Sequence, residues 1–222
     1  MEWLFSLAPA LISALKALSL GDLTGLSSTG LLIYFIVQAL INWYNQSKDT
    51  VVVEAFKDIS LIYQILINIL IGTKVSRVSI HKVSNGGSIP RVGVQLYDTM
   101  VYEQFQPPLQ SIKGSWEKRP ITQQLLEKIT ELSLQKGTTI IYNELAPGSE
   151  LADAGAADNL NQTKLYELYS EESAYYYLRL DFLEDPNLNA TERDLIRVGI
   201  ANIAKHFKNS TDRLKKFNIQ SN

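Results

Sequence analysis

Apolar residues crowd the N-terminal part of the chain and then thin into the mixed patterns of a water-soluble domain. The stretch Leu23 to Gln46 carries no formal charge. Its densest part, Leu26 to Tyr44, is 19 residues long, and at about 1.5 Å per residue such a helix covers roughly 28 Å, close to the bilayer core of about 30 Å. Nine of those residues are Leu, Ile, Val or Phe, each favouring insertion by roughly 0.3 to 0.6 kcal/mol near the bilayer centre. Trp43 and Tyr44 close the run where aromatic side chains settle at lipid headgroups. The spacing predicts one transmembrane helix over 23–46.

Ahead of it, Leu4, Leu7, Ala8, Leu11, Ile12, Leu15 and Leu18 recur at helical intervals. An amphipathic helix over 1–22, lying in the membrane interface with Trp3 as an anchor, fits this pattern. Pro9 and Lys16 argue against a second span over Leu4 to Leu20, although its length nearly suffices. Glu2, where a removable signal peptide carries a basic residue, argues against cleavage. Lys16 on one flank and Lys48 and Lys57 on the other leave the orientation undetermined.

From Lys48 onward the chain is long enough to bury a core of its own. Val51 to Ile71 is strongly apolar, and its Ser60, Gln64 and Asn68 form a narrow polar stripe at intervals of four. This predicts a helix stopped by Gly72 that packs against a sheet or a copy of itself. Strands are predicted at Val75 to Val83, before the Asn85-Gly86-Gly87 turn signal, and at Val92 to Leu96. An irregular stretch broken by Pro107, Pro108, Gly114 and Pro120 follows. Thr122 to Gln135 has the pattern of a helix with Leu125, Leu126, Ile129 and Leu132 on one face and Gly137 as its stop.

Thr138 to Tyr142 reads as a strand and Pro147 to Gln162 as a mobile loop. Strands are expected at Lys164 to Tyr169 and Ala174 to Phe182, parted by a turn at Ser170 to Ser173. Asn189 and Glu192 stand in capping-box spacing before a last helix that buries Leu195, Ile196, Ile200, Ile203 and Phe207. The order predicts an α+β domain over 51–208, helices against an antiparallel sheet, followed by a polar basic tail over 209–222.

This order resembles the GAF/PAS class of sensor domains. The resemblance rests on the helix with Tyr63, Leu66 and Leu70, the strand Arg77-Val78-Ser79-Ile80-His81-Lys82-Val83 with its Gly-rich turn, and the closing helix Ala190 to Lys208. With an N-terminal span added, the layout is also similar to the holins of T-even-type bacteriophages. Tyr44-Asn45-Gln46-Ser47-Lys48 is similar to the exit of that family's span, and Tyr175, Tyr176 and Tyr177 followed by Arg193, Leu195, Ile196, Ala201 and Ile203 is similar in arrangement. That second resemblance implies a lysis protein of the bacterial inner membrane, with a periplasmic domain. It would oligomerise to open a lesion for cell-wall hydrolases, and an inhibitory or regulatory protein would bind its soluble domain.

Gly21, Gly25 and Thr29, four apart at the entrance to the span, form a small-residue row that lets helices approach closely. Gln38 and Asn42 form a polar pair within it, and interhelical hydrogen bonds of this kind contribute roughly 0.6 to 2 kcal/mol. Facing water at the interface is the alternative for both. The competing function is a membrane-tethered sensor or interaction module that binds a small ligand or a partner.

Composition removes several chemistries. No cysteine and only two histidines exclude disulfides, thiol nucleophiles, a cysteine-linked bilin and a Cys/His zinc site. A net charge of −2 lacks the field of a dedicated nucleic-acid binder. His81 and His206 show no surrounding Ser or carboxylate constellation in the sequence, and Glu171-Glu172 falls in a turn, so no catalytic, cofactor or metal residues are expected. Lys205, Lys208, Arg213, Lys215 and Lys216 give the C-terminal end a positive excess suited to a solvated tail. Tyr97, Tyr102, Tyr142, Tyr166, Tyr169 and Tyr175 to Tyr177 fall on or near strands, where core packing is their ordinary use.

Overall fold

The computed structural model describes residues 52–85, 93–171 and 174–221. The expected interfacial helix over 1–22 and span over 23–46 lie outside them. The chain divides into two compact units, Met1–Ile59 with Asn209–Asn222, and Ser60–Lys208.

The helix α1, Val52–Gly72, is long and apolar enough to cross a membrane by length and composition. Yet Ile62, Leu66, Ile69 and Leu70 are buried in a core with sheet residues, as the amphipathic reading required. Ser60, Gln64 and Asn68 are exposed. The strands are β1 (Arg77–Ser84), β2 (Tyr97–Phe105), β3 (Arg119–Pro120), β4 (Gly137–Ile141), β5 (Gln162–Glu171) and β6 (Ala174–Phe182). They form one antiparallel sheet in the order β3-β2-β1-β6-β5-β4, which puts the first and last strands side by side at its centre.

The other helices are α2 (Gln123–Gln135), α3 (Glu150–Ala157) and α4 (Ala190–Ser221). One sheet face, with Val78, Ile80, Leu178, Leu180 and Phe182, packs on Ile62, Leu66 and Ile69 of α1 and on Ile196 and Ile203 of α4. The opposite face, with Val83, Met100, Leu165 and Tyr177, is covered by Leu125, Ile129 and Leu132 of α2, Leu151 of α3 and Trp116. The α+β sheet with flanking helices is therefore as expected. Asn189 and Glu192 form the reciprocal cap: the Asn189 N–H donates to Glu192 Oε2 at 2.7 Å and the Glu192 N–H to Asn189 Oδ1 at 2.9 Å.

Four expectations need correction. The second strand is Tyr97–Phe105, not Val92 to Leu96, because the polar Asp98 and Glu103 that disguise it face a buried network. The loop expected over Pro147 to Gln162 contains α3, whose N-cap Ser149 accepts from the Ala152 N–H at 3.3 Å. Lys136, at φ 62°, makes the left-handed stop of α2, and Gly137 opens β4. Residues 209–221 continue α4 as helix where a solvated tail was expected. Within that unit Arg213 pairs with Glu54 at 3.3 Å and also with Asp58.

Candidate functional site

Alternation along β1 and β6 sends Arg77, Ser79 and His81, and Tyr177, Arg179 and Asp181, to the face beneath α2 and α3. On β2 the register slips by one between Ile80 and His81, leaving Val101 as the extra residue. That bulge reverses the parity of the strand, so Asp98 and Met100 before it and Glu103 after it reach the same face. Charges buried this way must be paired, since an isolated ion loses its hydration.

Arg77 is fully buried and joins four segments. Its Nη1 donates to Asp158 Oδ2 at 2.7 Å and to Asp181 Oδ2 at 3.2 Å, its Nη2 donates to the Gln110 carbonyl at 2.8 Å, and its Nε lies 3.3 Å from Glu103 Oε1. Asp181 Oδ1 also accepts from Arg179 Nε at 2.8 Å and from the Thr163 hydroxyl at 2.5 Å. Burial alone would raise the Asp181 carboxyl, but Arg179, the Thr163 hydroxyl and Arg77 hold it below its ordinary range. Arg179 is conversely held charged: burial opposes it and Asp181 outweighs burial. Its Nη2 reaches the Tyr142 hydroxyl at 3.4 Å, and that hydroxyl lies 2.8 Å from Thr163 Oγ1.

Beside this network, Ser79 Oγ lies 3.1 Å from His81 Nε2, and His81 Nδ1 lies 3.1 Å from Asp98 Oδ1. The Tyr177 hydroxyl donates to Asp98 Oδ2 at 2.5 Å. A carboxylate only accepts, so His81 Nδ1 carries a proton in its bond to Asp98. The His81 ring stacks on Tyr177 at 4.9 Å and meets the edge of Trp116 at the same separation. Ser, His and Asp in this order match a nucleophilic triad, but all three are buried. Ser79 itself is fully buried and lines neither of the two cavities described next.

An open cleft of about 420 Å³ lies along α3, lined among others by Ile112, Trp116, Arg119, Glu150, Asp153 and Asp158. A small inner cavity of about 10 Å³ shares Trp116, Arg119, Glu150, Ala154 and Arg179 with it. That is space for about one water. The Trp116 ring lies 4.5 Å from the Arg119 guanidinium and 5.0 Å from that of Arg179. Arg119 Nη2 donates to Glu150 Oε1 at 2.6 Å, an ion pair that stays partly exposed. The walls thus offer both signs of charge, an indole and a short apolar stretch. They suit recognition of a small polar molecule.

The residues expected to associate in the membrane, Gly21, Gly25, Thr29, Gln38 and Asn42, and the anchors Trp3, Trp43 and Tyr44 lie outside the described residues. Gly86 and Gly87 of the turn signal do too. His81, expected to lack a Ser or carboxylate constellation, has one: Ser79 two residues before it on the same strand face, and Asp98 from the neighbouring strand. The readable signal was the alternation Arg77, Ser79, His81 between Val78 and Ile80, a polar row that a covered sheet face turns inward. Of the tyrosines, Tyr177 is fully buried. Its hydroxyl is held well above its usual range by burial and then by Asp98.

No protein-family model matches the chain, and a comparison with curated proteins finds no match. Among solved structures it is similar to a far-red cyanobacteriochrome photoreceptor, at 12% identity over 78% of this chain and 98% of that one, with a TM-score of 0.50. It is similar to the phycoerythrobilin-bound GAF domain of a cyanobacterial phytochrome, at 12% identity over 76% and 96% of the two chains, with a TM-score of 0.46. The GAF domain of a two-component sensor histidine kinase from Bacillus halodurans is similar at 10% identity over 68% and 93%, with a TM-score of 0.48. The fold is GAF-like.

Proposed function

From this GAF-like fold, we propose that the domain is a sensor module holding a small polar molecule in the cleft along α3, tethered to a membrane through the uncharged run Leu23 to Gln46. The cleft carries the reading. Its volume of about 420 Å³ falls in the lower part of the usual range for small-molecule sites, roughly 300 to 1,000 Å³. Its charged walls connect to the sheet: Asp158 borders the cleft and binds Arg77 of β1, and Arg179 of β6 borders it and binds Asp181. The reverse faces of both strands pack on α1 and α4. A ligand that draws Asp158 or Arg179 toward itself therefore shifts the two central strands and the helices behind them.

A bilin, which one similar GAF domain holds, would lack a cysteine to attach to here. The membrane-lesion expectation depends on N-terminal residues outside the described domain, so the sensor reading takes precedence. It is tested by thermal-shift screening of the full chain in detergent against polar metabolites of each charge type. A hit weakened by Trp116→Ala, in a variant that stays folded, supports the module; no stabilising compound in a broad screen counts against it. The tether is tested by fractionation. The full chain should sediment with membranes, and a chain lacking residues 1–50 should remain soluble.

A further inference from the structure

We infer that the cleft ligand is a small zwitterion of the α-amino acid class, carrying a carboxylate and an ammonium on the same carbon; this rests on the sensor reading. The charges at the cleft differ in how far they are already used. Arg179 is committed to Asp181 and Tyr142, and Asp158 to Arg77. What remains toward solvent is the Arg119–Glu150 pair, with side chains 26% and 39% exposed. Asp153 is exposed too, and its carboxylate has no hydrogen-bond or ion-pair partner among the described residues.

Glu150 and Asp153 stand three apart on α3 and so share one helix face, with Arg119 opposite on the edge strand β3. A ligand with only a carboxylate gains from Arg119 but meets Glu150 and Asp153. One with only an ammonium gains from the two acids but meets Arg119 and Arg179. A zwitterion gains at both ends: its carboxylate takes the planar fork of Arg119, and its ammonium fits between Glu150 and Asp153. Ile112, Trp116 and Ala154 then cover the ligand's carbon skeleton. A peptide terminus carries only one of the two charges and is disfavoured by the same reasoning.

The test is calorimetric titration of the full chain in detergent with matched compounds. L-leucine is compared with 4-methylpentanoate and 3-methylbutylamine, and L-phenylalanine with 3-phenylpropionate and 2-phenylethylamine. At least one amino acid is expected to bind about tenfold or more tightly than its matched anion and cation. Arg119→Gln and Asp153→Asn should each weaken that binding, with circular dichroism unchanged; Asp153, being exposed, leaves the fold intact. Equal binding of a matched anion or cation, or amino-acid binding that survives both substitutions, overturns the inference. If none of the six compounds binds, the zwitterion class is also wrong. A hit of another charge type in the wider metabolite screen, weakened by Trp116→Ala, would then leave the sensor reading standing.

Discussion

Arg179 Nε donates to Asp181 Oδ1 at 2.8 Å, two residues further along the same strand, with both side chains inside the protein. Asp181 also takes Arg77, so among the described residues it is the one carboxylate that two buried guanidiniums share. Asp181→Asn should therefore leave two buried cations undercompensated, at a cost of about 3 to 5 kcal/mol. Urea denaturation with tryptophan fluorescence measures it. The pH dependence has a defined sign. The folded pKa of Asp181 lies below the unfolded one, so its contribution is present above about pH 4 and is lost as pH falls through the folded value. The variant's stability should fall less steeply than the wild type's below about pH 4. Parallel curves would show that Asp181 is not the group responsible.

The alkaline limb should be set by tyrosines. Burial, and then Glu171, push the Tyr176 hydroxyl up to about 12, and burial followed by Glu167 raises Tyr175 as well. A raised folded pKa contributes stability that is complete below about pH 10, the unfolded value, and is lost as pH climbs through the folded one. Stability should decline from about pH 10 upward, and phenolate absorbance should lag behind that of free tyrosine. Tyr176→Phe should flatten part of the decline. Full ionisation of all tyrosines near pH 10 in the folded protein would contradict the burial described.

Gly155 of α3 faces the Tyr142 ring, and a Cβ placed on it would lie 2.2 Å from the Tyr142 Cδ1 atom. Tyr142 cannot swing away freely because its hydroxyl is held by Thr163 and approached by Arg179. Gly155→Ala should therefore destabilise the protein by about 1 to 3 kcal/mol despite alanine's better helix propensity. A lowered Tm is the expected readout. The double variant Gly155→Ala, Tyr142→Ala should recover part of the loss if the clash is its cause.

Local signals made much of the architecture legible. The Asn189 and Glu192 cap, the Leu125, Ile129 and Leu132 stripe, and the strand Ala174 to Phe182 all follow from spacing within a few turns or pleats. The candidate site was not legible, because its partners are far apart in sequence: Arg77 meets Asp181 across 104 residues and Tyr177 meets Asp98 across 79. A polar row such as Arg77, Ser79 and His81 reads as a solvent face unless something covers it. Its cover, α3, was hidden by the Gly, Asp and Asn content of 147–162. The bulge at Val101 had the same effect on β2, spoiling the alternation that would have revealed the strand.

The Ser79, His81, Asp98 and Tyr177 chain should prove structural. Asp98 accepts from both His81 and Tyr177, so Tyr177→Phe deprives a fully buried carboxylate of one donor and should cost about 1 to 3 kcal/mol. Ser79→Ala removes the hydroxyl partner of His81 Nε2, and it should cost less than Tyr177→Phe because no buried carboxylate loses a donor. Combining Tyr177→Phe with His81→Phe should be non-additive by about 0.5 to 3 kcal/mol, since both act on Asp98. A catalytic role makes the opposite forecast for a different observable. Hydrolysis of 4-nitrophenyl acetate by the full chain should be the same with Ser79→Ala, because the hydroxyl is fully buried. A loss of turnover in a variant whose Tm is unchanged would instead make Ser79 a nucleophile reached through an opening of the α2 and α3 cover.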